Sequence, residues 1–323
     1  MSQQHTMAST DLPASKKKLL VTGASGLLGL NLALQLRDAY QVTGVFNQKR
    51  MHQTPFELIQ GDFFVENTAE KLVAEVQPDV IIHCAAMANI DACEKDQEKA
   101  HYINGVVPGK IAFEARRNKI RFIHISTDAV FDGVDCGENG YHEEDRTNPN
   151  NVYAQTKLLG EQNVMDQNPD ALVARVNFYG WSVAQNRSLG EIFFQNLIQK
   201  KPMMGFTDVF FSTLYVQNLV RILDRLIHEQ ASGIYHVFSS DYQSKYEFGV
   251  SIARRFGLDA SLISPVSWKD SGLAAKRSPN LIMNTDKLQR LLGVSLPTQM
   301  ESLENFYQAY RDGLPELLKK TGF

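Results

Sequence analysis

The stretch that most constrains the fold is Lys18 to Leu36. A short apolar run, Lys18 to Thr22, feeds Gly23-Ala24-Ser25-Gly26-Leu27-Leu28-Gly29, and the helix-period residues Leu30, Leu32, Ala33 and Leu36 follow. This reads as strand, glycine turn and helix, in that order. Glycines allow a tight turn and a close backbone approach, and the helix start offers unpaired N–H groups and a positive dipole end to a pyrophosphate. Glycines by themselves also mark ordinary turns. The flanking strand and helix are what make dinucleotide binding the expectation.

The chain goes on alternating. Strands are expected at Gln41 to Phe46, Phe56 to Ile59, Val80 to His83, Arg121 to Ile125 and Ala171 to Val176, with helices over Ala69 to Val76, Glu98 to Arg117 and from Tyr153 onward. Such alternation predicts an α/β fold, a doubly wound parallel Rossmann-type sheet with ligands at the C-terminal strand ends. After Val176 the character changes. An aromatic run, Asn177 to Trp181, precedes an amphipathic helix from Ser188 to Lys200, and helices over Lys245 to Phe256, Asp286 to Leu292 and Met300 to Arg311 are punctuated by Pro265, Pro279 and Pro297. The expected division is a flexible polar leader at 1–16, a dinucleotide-binding domain at 17–176 with 214–238 returning to its sheet, and a smaller substrate-binding α/β lobe from 177–213 and 239–323.

Composition excludes several classes. The 323 residues are 43% hydrophobic with a net charge of −3, so there is no basic excess to neutralise nucleic-acid phosphates. The three cysteines, Cys84, Cys93 and Cys136, show no paired spacing, which suits a reducing compartment, and the expected location is the cytoplasm. No apolar run approaches the ~18 residues of a membrane span. The acidic loop carrying Asp132, Asp135, Glu138, Glu143, Glu144 and Asp145 matches no metal-binding spacing, so it reads as solvated and no metal is expected.

A candidate catalytic unit lies in Phe122 to Glu161. Tyr153 and Lys157 are four apart on a helix and share a face. An ammonium held near a phenol favours the phenolate, so Lys157 is expected to lower the pKa of Tyr153 and make it a general acid toward a carbonyl oxygen. Thr127, at the end of a strand, is placed to bind that oxygen as it becomes negative, with Asp128 beside it. Phe178, Tyr179 and Trp181 follow a strand end and are expected to line a substrate pocket, and Lys276 and Arg277 put two cations in a late loop suited to a diphosphate. At the end of the second strand, where a carboxylate would ordinarily hold a ribose 2′-hydroxyl, the chain has Asn47, Gln48, Lys49 and Arg50. That substitution favours NADPH over NADH, with Asn47 and Arg50 as contacts.

Gly23-x-x-Gly26-x-x-Gly29, Ser126-Thr127-Asp128-x-Val130-Phe131-Asp132-Gly133 and Tyr153-x-x-x-Lys157-x-x-Gly160-Glu161 together resemble the extended short-chain dehydrogenase/reductases, and within them the dTDP-4-dehydrorhamnose reductases. The likeness spans about residues 18 to 310. Arg277-Ser278-Pro279-Asn280 resembles a late segment of these reductases, with Ser278 interrupting the usual Arg-Pro. The resemblance implies hydride transfer from NAD(P)H to the 4-keto group of a nucleotide-linked deoxysugar, with Tyr153 as acid, Lys157 on the nicotinamide ribose and Thr127 on the substrate oxygen. It also implies cofactor contacts at Gly23, Ser25, Gly26, Leu27, Leu28, Asp62, Ala85, Ala86 and Asn104. The expected partners are a nucleotide-sugar substrate and, at most, a second copy of the chain in a homodimer.

The same scaffold serves nucleotide-sugar 4,6-dehydratases, but Ala129 stands where they carry a glutamate, which argues against elimination. A 4-epimerase that retains its NAD also fits the tyrosine and lysine. So does a non-catalytic NADP-binding module, because the resemblance reaches a regulatory subunit of methionine adenosyltransferase.

Overall fold

The computed structural model describes residues 15–270 and 278–322. The first fourteen residues of the expected leader, and Arg277, lie outside the described residues. The first half of the chain runs β1 (Lys18–Thr22), α1 (Leu27–Leu36), β2 (Gln41–Phe46), β3 (Glu57–Gln60), α2 (Thr68–Val76), β4 (Val80–His83), α3 (Ile90–Lys95), α4 (Gln97–Ala100), α5 (Val107–Arg117) and β5 (Arg121–Thr127). It continues through α6 (Val152–Gln167), β6 (Leu172–Val176), β7 (Phe178–Tyr179), α7 (Leu189–Ile198), β8 (Met203–Phe206), β9 (Phe210–Phe211), β10 (Leu214–Tyr215), α8 (Val216–His228) and β11 (Gly233–Val237). The last part is β12 (Gln243–Ser244), α9 (Lys245–Phe256), β13 (Ile263–Val266), β14 (Asn280–Leu281), α10 (Asp286–Leu292), α11 (Gln299–Arg311) and α12 (Leu314–Lys320).

Seven parallel strands form one sheet in the order β3-β2-β1-β4-β5-β6-β11. The order reverses between β1 and β4, which opens a crevice at their C-terminal ends. Alternating side chains serve two cores. Leu19 and Val21 join one with α1 and α8, while Leu20, Ile81, Phe122 and Val173 join the other with α2, α5 and α6. The strand at 233–237 pairs with β6, so the chain does return to the sheet after its excursion. Short strands β8 and β13 pair with each other, and β12, β9 and β14 form a small separate sheet, all too short to show an alternation in the sequence. Among the described residues no helix is long and apolar enough to cross a membrane.

The helix expected over Glu98 to Arg117 is not uniform. Between α4 and α5 the backbone widens into a π turn at His101–Val106. Pro108, near the start of α5, has no N–H for the carbonyl of Asn104, and the N–H of Val107 bonds the carbonyl of Tyr102 instead. The Asn104 carbonyl faces α6 so closely that a Cβ on Gly160 would sit 2.2 Å from it. Glycine at 160 is therefore what lets the π turn and α6 touch.

Helix α6 is fixed from the sheet side by charge. Glu161 and Arg175 are each 2% exposed, and Arg175 Nη2 donates to Glu161 Oε2 at 2.8 Å, Nε to Oε1 at 3.0 Å. Ser126 Oγ donates to the same carboxylate at 2.5 Å, and Arg175 also lies over the Phe131 ring. Removing one member strands a buried charge. Arg175→Ala should therefore lower the unfolding free energy in urea by about 3–5 kcal/mol, and Arg175→Met combined with Glu161→Leu should recover much of that loss.

Candidate functional site

The site is built where β5 ends and α6 begins. Asn151 caps α6, its side chain accepting from Ala154 N at 2.9 Å, and this places Tyr153 in the first turn. Thr127 is the last residue of β5. The Thr127 side chain lies close enough to the Tyr153 phenol to pull its pKa down, so the two side chains are neighbours. Thr127 Oγ1 donates to Asp128 Oδ1 at 3.0 Å and accepts from Ala129 N at 3.2 Å. Asp128 is buried and also takes a bond from Asn177 Nδ2 at 2.7 Å. Burial raises its carboxyl above the usual carboxylate range against the opposing pull of these donors.

Lys157 lies one turn below. Its Nζ donates to Ile125 O at 2.6 Å and lies 3.3 Å from His124 Nε2. This differs from expectation. Tyr153 is not lowered by the ammonium but raised to about 12, first by burial and then by the neighbouring Asp128 charge, with only Thr127 opposing. Lys157 is lowered to about 8, because burial outweighs the stabilising charge of Glu161. Desolvation acts on both groups and favours their neutral forms. The spacing of four placed the residues on one face, yet the lysine side chain is engaged by the strand beneath.

Under Lys157 runs a row the sequence reading did not single out. Thr22, His83 and His124 occupy paired positions on β1, β4 and β5. Thr22 Oγ1 is 2.7 Å from His83 Nδ1, and the two imidazoles stack at 5.6 Å. Burial holds both histidines far below the ordinary range, with the Lys157 charge adding to it, and His83 is lowered to about 3. These are neutral rings at physiological pH. A histidine at 83 and at 124 within otherwise apolar strands was the available signal.

The crevice between β1 and β4 holds a cavity of about 380 Å³. Gly23, Ser25, Gly26, Asn47, Ala85 and Ala86 line it. The glycines let backbone pack directly on backbone at the cavity's edge. Gly23 has φ 68° and an added Cβ would lie 2.8 Å from Ala85 N, while a Cβ on Gly29 would lie 2.3 Å from Gly23 O. This backbone, lying against the start of α1, fits the diphosphate of a dinucleotide. Cys84, a thiol that burial keeps protonated, also lines the cavity and lies near Lys157.

Other expected contacts fall elsewhere. Leu27 borders a narrow crevice beside the glycine turn, and Leu28 is 4% exposed in the core. Arg50 is exposed and outside the lining of the cavity, because the chain after β2 turns away from it. Asp62 bonds Phe64 N in its own turn, leaving Gly61 and Phe63 to the cavity wall. Asn104 is fully buried and braces the wall from behind, with Oδ1 accepting from Met87 N at 2.8 Å and Nδ2 donating to Met87 O and Thr156 Oγ1. Lys99 and Arg187, neither singled out from the sequence, line the cavity.

Two readings of the aromatic and acidic segments need correction. Trp181 and Tyr179 are each 1% exposed, Trp181 stacking on Phe306 at 4.1 Å while its Nε1 donates to Phe306 O at 3.0 Å. They belong to the core that also holds Leu19, Val21 and Leu30, and only Phe178 is left partly exposed. The acidic loop is not simply solvated either. Glu143 is buried and accepts from His236 N at 2.9 Å, and Asp132 accepts from Val134 N, Tyr141 Oη and Asn148 Nδ2. Among the described residues no group of three or more His, Cys, Asp or Glu is placed to hold a metal.

The RmlD substrate binding domain model matches residues 17–312. A probable low-salt glycan biosynthesis reductase, Agl14, of Haloferax volcanii is 32% identical over 301 residues, covering 90% of this chain and 98% of that protein. Methionine adenosyltransferase 2 subunit beta of Danio rerio is 30% identical over 308 residues, covering 92% of this chain and 90% of that one. The crystal structure of dTDP-4-dehydrorhamnose reductase from Bacillus anthracis in complex with NADP superposes with a TM-score of 0.80 at 27% identity, covering 91% of this chain and 99% of that one.

If Trp181 is a packing residue, Trp181→Ala should cost about 3–5 kcal/mol of stability by denaturant unfolding. The partly exposed Phe178→Ala should cost clearly less. Equal losses would place both rings in the core.

Proposed function

This chain belongs to the RmlD substrate-binding domain family, and we propose that it is an NAD(P)H-dependent reductase acting on the 4-keto group of a nucleotide-linked deoxysugar, dTDP-4-dehydrorhamnose or a close relative. The observation that carries the proposal is Thr127 beside Tyr153 at the end of β5, with Lys157 one turn further along α6 and the glycine-walled cavity lined by Cys84 of the neighbouring strand end. The nicotinamide, when bound, supplies the hydride. The protein's part is to hold the carbonyl and manage its proton.

In this reading the substrate carbonyl oxygen accepts from the Tyr153 hydroxyl and from Thr127, whose single hydroxyl proton turns to it from Asp128 Oδ1. Because burial raises Tyr153 to about 12, its proton is in place at neutral pH. As the oxygen gains charge it becomes a far stronger base than a phenolate, and the proton passes from Tyr153 Oη to it. The resulting phenolate is the costly species in a buried setting; in this reading the Lys157 amine, held at rest by Ile125 O, turns toward it and its positive charge offsets that cost. Ala129, next to Thr127 and Asp128, has no group to remove a proton from carbon, which supports reduction over elimination. NADPH is the proposed cofactor, with NADH admitted by the same cavity.

The relation to methionine adenosyltransferase 2 subunit beta carries a second reading, a cofactor-binding subunit without turnover. The intact contact between Thr127 and Tyr153 favours catalysis.

The test is oxidation of NADPH on addition of dTDP-4-dehydrorhamnose. Tyr153→Phe should lower kcat by about 10² or more while NADPH binding persists; normal turnover would remove Tyr153 from the mechanism. The pH profile adds a sign. Lys157 is charged below its value of about 8, so kcat/KM should fall as pH rises through that region. Lys157→Arg, which stays charged, should move that limb to higher pH in whatever activity remains.

A further inference from the structure

We infer that Arg187 is a phosphate clamp, closing over the diphosphate of the bound dinucleotide from the side opposite the glycine turn. The inference rests on the proposed cofactor reading and adds a residue from outside the strand–turn–helix motif. Arg187 lines the cavity beside Ser25 and Gly26, and it also borders the narrow crevice formed by the same two residues with Leu27 and Asn31. Its side chain thus stands over the start of α1, where unpaired N–H groups already favour an anion.

The loop carrying Arg187 is built rather than loose. Glu191, 0% exposed, accepts from Ser182 N at 2.6 Å, Arg187 N at 3.0 Å and Ser188 N at 3.1 Å, tying both ends of the 182–188 loop to one buried carboxylate. Ser188 Oγ donates to Gly180 O at 2.8 Å. The loop is then joined to α1, since Asn31 Nδ2 donates to Leu27 O at 2.8 Å and lies 3.4 Å from Trp181 O. The backbone of Arg187 is therefore held at a fixed distance from the glycine turn while its guanidinium remains exposed.

Charge at the cavity agrees. Among the described residues lining it, Arg187 and Lys99 are cations and none is a carboxylate. Arg50, expected to supply the positive charge, lies outside that lining. A guanidinium offers a planar pair of donors matched to phosphate oxygens. Placed over Ser25 and Gly26, it meets the diphosphate common to NADPH and NADH, not the 2′-phosphate that distinguishes them.

The test is fluorescence titration of wild type, Arg187→Ala and Arg187→Lys with NADPH and with NADH. Arg187→Ala should weaken both cofactors by the same factor, about 10- to 100-fold, the scale of hydrogen bonds to a charged group. Arg187→Lys should recover part of it, and the thermal midpoint should stay unchanged because the side chain is exposed. Unchanged affinity for both, or loss confined to NADPH, would overturn the inference. Wild type binding neither cofactor would overturn the underlying cofactor reading, a separate outcome.

Discussion

Helix α6 is held against the sheet by polar groups, and the site depends on this. Beside the apolar Ala154 and Val164 and the glycine at 160, it buries Thr156, Lys157 and Glu161. Each buried polar group has found a partner: Lys157 with Ile125 O, Glu161 with Ser126 and Arg175, Thr156 with Asn104. An apolar interface tolerates a shift of an ångström, but a set of buried charge-assisted hydrogen bonds does not, since each broken one leaves a desolvated group. Registration of α6 on β5 follows, and with it the meeting of Tyr153 and Thr127.

The same burial sets the electrostatics. Desolvation raises Tyr153 and Asp128 and lowers Lys157, His83 and His124, all toward neutrality. A site arranged this way holds its proton at rest and gives it up only to a strong base, which a developing alkoxide is and water is not. Lys157, with a value of about 8, retains its charge at neutral pH by a narrow margin. The stacked histidines below it are neutral and add no positive charge to compete.

Much of this was legible from the chain. The glycine turn between β1 and α1, the alternation giving a parallel sheet, and the grouping of Thr127 with Tyr153 all rest on local order and period, which one sequence displays. The direction of the Tyr153 shift was not legible, because it depends on how deeply the phenol is buried and on where the lysine amine points. Trp181 was misread for a similar reason: a position just after a strand does not say which side of the chain faces the core. The contribution of Arg187 needs two segments far apart in sequence to be brought together, here by the carboxylate of Glu191 and by Asn31. Arg175, a charge in an otherwise apolar strand, was not singled out from the sequence, and its partner lies fourteen residues earlier, on α6.

The central claim is that a hydride crosses from the dinucleotide cavity to a sugar carbonyl held at Thr127 and Tyr153. Mass spectrometry of the product formed from dTDP-4-dehydrorhamnose and NADPH carrying deuterium at the transferred position of the nicotinamide measures this directly. The account predicts one deuterium on the former carbonyl carbon in the wild-type product. Product without the label, or bound NADPH that is never consumed in the presence of the keto-sugar, would contradict it.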